Sequence, residues 1–256
     1  MGRPKAWLPW RGKPLLDHMV GTLSGVVGEV VAVAAAEMEL PSTEARIVTD
    51  PHPGLGPLAG IGAGLAQIHF DLAFVTATDS PLLTPSYIRH LLSAGKPVAP
   101  RIDGVIQTLS AVYAREGAAL AVDLLAAGQR RPLDLLEALD FHTLEQENIE
   151  EPEACLSFNT PADYLAAVRA SDPNAAAIVE FLGRARSQMG CREVERPVAS
   201  LGEILKSLEP DLCLLKQDIL KNEFRISIDG RFFSRDLAIP IGAGEHVIIL
   251  DGSAGG

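Results

Sequence analysis

Residues 50–85 read DPHPGLGPLAGIGAGLAQIHFDLAFVTATDSPLLTP, and the order of elements in that stretch decides the fold. Five of the seven residues 51–57 are glycine or proline, a density that excludes regular structure and makes a loop. Leu58, Ile61, Leu65 and Ile68 then recur at helical spacing, and Gly60, Gly62 and Gly64 between them let a neighbour approach closely. Residues 72–75, LAFV, form a short apolar run suited to a parallel strand covered on both faces. Asp79 follows at the C-terminal end of that strand, where open α/β sheets place their ligand chemistry. Loop, helix, strand and carboxylate in this order describe a ligand site on an α/β frame.

The same alternation extends outward. Pro14 opens a helix whose Leu15, Leu16, Met19, Val20 and Leu23 share a face. Residues 29–34 and 46–49 read as strands, the first buried and the second ending at Asp50. Beyond the central stretch the pattern predicts a helix over 85–92, strands over 96–100 and 104–113, and helices over 117–126 and 133–139. Glu145, Glu147, Glu150, Glu151 and Glu153 crowd a linker that reads as a solvated acidic surface. A last helix, 162–170, has Asn159 or Thr160 as cap and Pro161 in its first position. Strands alternating with helices predict a Rossmann-like, doubly wound, mostly parallel sheet.

Ser171-Asp172-Pro173-Asn174 breaks this pattern, so the domains are expected at 1–171 and 174–256. The second begins with a strand at 177–181, continues through a helix marked by Leu201, Ile204, Leu205 and Leu208, and ends in strands at 224–228, 231–233 and 246–250. Asp229-Gly230 between alternating residues signals a hairpin, and the whole reads as a small α+β roll. No internal repeat is apparent.

A net charge of −11 argues against a general nucleic-acid-binding surface. Within that acidic balance, Arg3, Lys5, Arg11 and Lys13 precede the first acidic residue, a local cationic patch of the kind an anionic substrate needs. Cys155, Cys191 and Cys213 are odd in number and widely spaced, and read as buried reduced thiols. No apolar run approaches the length of a membrane span, no signal-peptide core opens the chain, and Ala6 stands where a myristoylation start wants Ser or Thr. The expectation is a cytoplasmic protein. The six histidines show no ligand spacing.

Residues 1–170 resemble the molybdenum cofactor guanylyltransferases, which join a GMP unit to the phosphate of molybdopterin. The matching pieces are MGRPK at 1–5, LPWRGKPLL at 8–16, GPLAGI at 56–61, TDSPLL at 78–83 and FNTP at 158–161. Residues 174–256 resemble the small, sulfur-carrying subunit of molybdopterin synthase through FLGRAR at 181–186, ISIDGR at 226–231 and the terminal Gly255-Gly256. That second resemblance implies a ubiquitin-like β-grasp domain.

The resemblance implies GTP and molybdopterin as substrates and Mg²⁺ as the metal. Lys5 would neutralise charge on the leaving pyrophosphate. Asp79 would hold Mg²⁺ against phosphate oxygens, since this ion takes one or two carboxylates and keeps its waters; the alternative is a helix cap or turn residue. Asp50 would be an acidic nucleotide contact or a turn residue. Gly56, Pro57 and Leu58 would let the nucleotide approach backbone N–H groups. Asn159 would touch the substrate or cap a helix. Gly255-Gly256, thiocarboxylated, would serve the large subunit of molybdopterin synthase and an adenylating activating enzyme.

The family's first strand and Gly-rich loop, roughly LAGGxSxR before the MG, do not precede Gly2 in this sequence. Either a start upstream of Met1 supplies them or this form is inactive as a transferase, and without them the sheet should show an unpaired strand edge. Ala35-Ala36 stands where the family has an Asn. Two alternatives follow: a catalytically degenerate scaffold with a working carrier tail, and a nucleotidyltransferase that accepts a sugar phosphate.

Overall fold

The computed structural model describes residues 1–209, 211–216 and 219–251, and its first turn is set by Arg11-Gly12. Both residues have positive φ (50° and 80°), the geometry of a two-residue hairpin, and they join β1 (Pro9–Trp10) to β2 (Lys13–Pro14). There follow α1 (Leu15–Ser24), β3 (Val31–Ala34), β4 (Arg46–Thr49), α2 (Pro57–Leu65), β5 (Leu72–Thr76) and α3 (Pro85–Leu92). The chain continues through β6 (Val98–Ile102), β7 (Val105–Ile106), β8 (Ser110–Ala114), α4 (Gly117–Ala126), α5 (Pro132–Ala138), β9 (His142–Glu145) and α6 (Pro161–Ser171). Beyond it lie β10 (Ala176–Phe181), α7 (Gly183–Met189), β11 (Glu193–Pro197), β12 (Ala199–Ser200) and α8 (Leu201–Lys206). The last strands are β13 (Leu215–Lys216), β14 (Ile219–Leu220), β15 (Phe224–Ile228), β16 (Phe232–Ser234), β17 (Pro240–Ile241) and β18 (His246–Asp251). Among the described residues, no helix is long and apolar enough to cross a membrane.

Two compact units emerge: a central one, Leu16–Ser157, and a terminal one made of Met1–Leu15 with the described residues from Phe158 onward. The opening segment and α6 therefore group with the C-terminal residues.

In the central unit β3 and β4 pair in parallel, and a separate sheet has the order β5-β8-β6-β7, with β9 beside β6. The expected mostly parallel sheet is corrected here. β8 runs antiparallel to both β5 and β6, β7 is a hairpin on β6, and β9 alone joins that sheet in parallel. The reason lies in residues 104–113, expected as one strand. Asp103-Gly104 (φ 49° and 78°) turns β6 into β7, and bonds from Thr108 N to Ile106 O and from Ser110 N to Gln107 O kink the chain before β8, which pairs with β6 on the same side as β7, opposite β9. β9 itself was not expected, since HTLE carries no apolar alternation. Among the described residues β3 pairs with β4 alone and β5 with β8 alone, which leaves each with one unpaired edge, as expected. Both strands are half-buried along their whole length rather than buried.

Helix α2 anchors this unit. Leu58, Ile61 and Leu65 bury into a cluster with Ala121, Leu135 and Leu136. The glycines do what their spacing predicts: a Cβ at Gly62 would lie 2.7 Å from Ala121 Cβ on α4, and one at Gly64 would lie 3.3 Å from Val33 Cγ2 on β3. Valine at position 62 should accordingly lower stability by about 1–3 kcal/mol, the usual cost of overpacking, read as a lower urea midpoint with an unchanged slope.

The terminal unit holds a five-stranded sheet of order β11-β10-β18-β15-β16, with β10 and β18 parallel at its centre and the other pairs antiparallel. Asp229-Gly230, both at positive φ, lie in the turn between β15 and β16 as expected. Strand β11 was not foreseen in the charged EVERP run. α7 and α8 cover one face, where Phe181, Ala185, Leu201, Leu205, Phe224 and Ile249 form a core. The cysteines are free, but only Cys155 is buried; Cys191 is half-buried and Cys213 is exposed, which corrects the expectation of three buried thiols. Cys213 lies beyond α8, with its Sγ 3.0 Å from Lys221 Nζ.

Candidate functional site

In the central unit the candidates stand at the ends of strands and the start of a helix. Asp50 follows β4, its N–H donating to Ala34 O at 2.8 Å and so extending the β3–β4 ladder by one step. Its carboxylate Oδ1 accepts from the His52 N–H at 2.8 Å, an Asx turn that starts the Gly/Pro loop. The loop ends at Gly56, whose φ of 86° is open to glycine at little cost, and Pro57 takes the first position of α2. Gly56 and Pro57 are exposed, while the Leu58 side chain is fully buried. What Leu58 can offer a ligand is therefore its backbone N–H, in the first helical turn, where free N–H groups and the helix dipole favour an anion. A Cβ on Gly56 would lie 3.9 Å from the Arg130 carbonyl, so the loop at 129–131 runs beside it. Sequence spacing gave no sign of that neighbour, which is more than 70 residues away along the chain.

Asp79 is half-buried in the turn that follows β5. The cap of α3 is Thr84, whose Oγ1 accepts from the Tyr87 N–H at 3.1 Å, so the helix does not need Asp79 for that purpose. Thr84 and Ser86 also donate to the Glu151 carboxylate, and these bonds hold Glu151 below the usual carboxylate range. No cluster of three His, Cys, Asp or Glu side chains able to hold a metal occurs among the described residues. A single strand-end carboxylate fits Mg²⁺, which takes most of its remaining ligands from water and substrate phosphate.

In the terminal unit, the cationic patch read from the sequence is engaged with protein. Lys5 opens a 3₁₀ turn, and its Nζ donates to Phe158 O at 2.8 Å. Arg3 forks onto the Glu245 carboxylate. Arg11 Nε donates to Ser171 Oγ at 3.2 Å and its guanidinium lies 5.8 Å from the Trp10 ring centre. Asn159 is exposed and adjacent to the carbonyl that holds Lys5, so these two candidates lie together. The cap of α6 is Thr160, not Asn159: Thr160 Oγ1 accepts from the Asp163 N–H, and Asp163 Oδ2 accepts from the N–H groups of Thr160 and Asn159. These bonds, with the charge of Lys5 nearby, lower the Asp163 pKa. The box is thus intact at neutral pH and is lost as pH falls through the lowered carboxylate range. Alanine at Thr160 should cost about 1 kcal/mol, measurable by denaturant titration at neutral pH. Gly255 and Gly256 lie outside the described residues.

The packing of the opening hairpin explains why Lys5 and Asn159 meet. Trp10 and Phe158 rings stand 5.4 Å apart, Phe158 and Tyr164 stand 5.9 Å apart, and Tyr164 Oη donates to Pro9 O at 2.7 Å. Sequence reasoning missed Glu245, since one Glu in a GAGEH loop carries no local sign of a partner more than 240 residues away.

Three comparisons bear on this geometry. The model of the MobA-like NTP transferase domain matches residues 1–145. A protein of Mycobacterium tuberculosis named as a probable molybdenum cofactor guanylyltransferase is 38% identical over 149 residues, covering 55% of this chain and 74% of that protein. One of the same name from Mycobacterium avium is 35% identical over 179 residues, 66% of this chain and 89% of the relative. Among solved structures, molybdopterin-guanine dinucleotide biosynthesis protein A from Archaeoglobus fulgidus superposes with a TM-score of 0.56 at 27% identity, over 67% of this chain and 92% of that one.

Proposed function

The chain belongs to the MobA-like NTP transferase family, and from that premise we propose that residues 1–171 transfer GMP from GTP to molybdopterin. A terminal phosphate oxygen of molybdopterin attacks the α-phosphorus of GTP, the bond from that phosphorus to the bridging oxygen breaks, and pyrophosphate leaves. Asp79 would hold Mg²⁺, which when bound would supply positive charge to the phosphates, and Lys5 would neutralise the charge that grows on the leaving group. Gly56, Pro57 and Leu58 offer backbone at the start of α2, Asp50 orders the loop that leads to it, and Asn159, beside the carbonyl that holds Lys5, would touch the substrate. The observation that carries this reading is Asp79, a half-buried carboxylate at the end of β5 that the next helix does not use as a cap.

The test is calorimetry of the full chain with Mg·GTP and Mg·CTP, followed by pyrophosphate release with molybdopterin as acceptor. Micromolar binding of GTP with weaker CTP binding is expected. Turnover with a hexose 1-phosphate in place of molybdopterin would instead select a sugar-phosphate transferase.

A second reading concerns residues 174–256 and is favoured by their sheet, in which the first and last long strands lie parallel at the centre. That order supports a ubiquitin-like sulfur carrier whose terminal Gly255-Gly256 is adenylated by an activating enzyme, thiocarboxylated, and presented to the large subunit of molybdopterin synthase in the cytoplasm. Deleting the two glycines should abolish sulfur transfer and leave GTP binding unchanged. If the deletion removes every activity and Asp79→Ala removes none, the first 171 residues are a degenerate scaffold.

A further inference from the structure

We propose that the Arg3–Glu245 pair is an autoinhibitory latch, in which C-terminal residues hold the cationic opening segment by the guanidinium fork that a triphosphate would otherwise take. The proposal rests on the nucleotide reading above and adds a form of regulation to it.

Four observations carry it. The pair is buried, with side-chain exposures of 5% for Arg3 and 3% for Glu245. It is bidentate, Nη1 on Oε1 and Nη2 on Oε2, with Nη2 also donating to Pro240 O at 2.9 Å and the Gly242 N–H donating to Oε2 at 2.7 Å. Guanidinium forks match carboxylate and phosphate oxygens with the same geometry, so the two anions are direct competitors for Arg3. Third, Arg3 Nε is buried without a hydrogen-bond partner. The carboxylate takes the Nη1–Nη2 edge and leaves the Nε edge unmet, whereas a polyphosphate has a second phosphate to bring to it. Burial works against the charged guanidinium, yet the bonds to Glu245 outweigh it and its pKa is raised, so Arg3 keeps its charge while held.

The fourth observation is the loop that bears Glu245. A Cβ on Gly242 would lie 2.1 Å from Tyr164 Oη and 2.5 Å from Pro9 Cγ, so only glycine lets this loop seat against the opening hairpin. Gly244, at φ 75°, gives the same loop a second backbone position that glycine favours. The latch is therefore a short glycine-flanked loop closed on the opening segment by one ion pair. Because linkage is reciprocal, triphosphate binding at the opening segment should loosen residues 240–245, and any partner that draws on those residues should raise nucleotide affinity.

The experiment titrates the full chain with Mg·GTP and with inorganic tripolyphosphate, comparing the original protein, Glu245→Gln, and the double variant Arg3→Met/Glu245→Gln. In Glu245→Gln the negative charge is lost and one of the two acceptor oxygens becomes an N–H₂ that opposes the donor facing it, so the two-armed fork on Arg3 is broken. Binding of both probes should tighten about tenfold, within the usual range of coupling between sites, and the double variant should lose that gain. Equal affinities in the original protein and a folded Glu245→Gln, or no binding of either probe, would overturn the latch. Tightened tripolyphosphate binding with no preference for GTP would support the latch and overturn the nucleotide reading. Should Glu245→Gln fail to fold, amide hydrogen exchange of the original protein decides: tripolyphosphate must speed exchange at residues 6–8 and 241–245, and slower or unchanged exchange there refutes the proposal.

Discussion

Replacing Asp79 with alanine is expected to slow Mg·GTP-dependent pyrophosphate release by about 10²–10³-fold, the usual loss when one preorganised electrostatic contact to a reacting phosphate or oxyanion is removed. The fold should not suffer. Asp79 sits in a turn after β5, α3 takes its cap from Thr84, and the buried side chains nearby, Ser80 and Leu83, belong to other positions. A cooperative thermal transition retained in the variant would show that the loss of rate is a loss of chemistry and not of fold. Asparagine at 79 separates charge from shape: it keeps the size and one acceptor oxygen but weakens the hold on a divalent cation, so it should resemble alanine in rate. A higher Mg²⁺ concentration for half-maximal rate in both variants would mark the carboxylate as the metal's ligand. A rate equal to that of the original protein would remove Asp79 from the chemistry and leave the carrier reading alone.

The parts of this fold that the sequence announces are those whose signals are local. Helix α3 has the expected bounds because Thr84, Pro85 and the spacing of Tyr87, Ile88 and Leu91 state its cap, first turn and buried face together. The close approach at Gly62 is legible for the same reason. Strand direction is not local. Residues 104–113 have the composition of a strand on either side of a bend, and nothing in the period of their side chains says that β8 will lie antiparallel between β5 and β6. Likewise β9 gains its place by pairing with β6, about 40 residues earlier, despite an unpromising HTLE sequence.

The candidate site divides in the same way. That Asp50 and Asp79 close their strands can be read from the order of apolar runs and breakers. The partners of the cationic segment cannot. Lys5 on Phe158 O and Arg3 on Glu245 join residues separated by most of the chain, and it is burial that gives those contacts their weight. A cluster of four positive residues reads as a surface patch until the structure shows Arg3 inside.

Glu245→Ala should therefore be among the most destabilising single substitutions in the terminal unit, at about 3–5 kcal/mol, because it strands a buried guanidinium. Against a typical total of about 5–15 kcal/mol, such a loss would lower the urea midpoint severely. Arg3→Met should cost a similar amount by leaving the Glu245 carboxylate buried with the Gly242 N–H as its remaining close donor. The double variant Arg3→Met/Glu245→Leu tells ion pairing from packing. Desolvation consumes much of what a buried pair gains, so replacing both partners with apolar side chains of similar bulk should recover most of the stability lost by either single change. Recovery would show that the pair is not required for folding, and would leave its place in the opening segment to be explained by what Arg3 can bind when it is released. Strict additivity of the two single losses would mean that each side chain is held by its other contacts, Arg3 by Pro240 O and Glu245 by the Gly242 N–H, and that the fork between them contributes little.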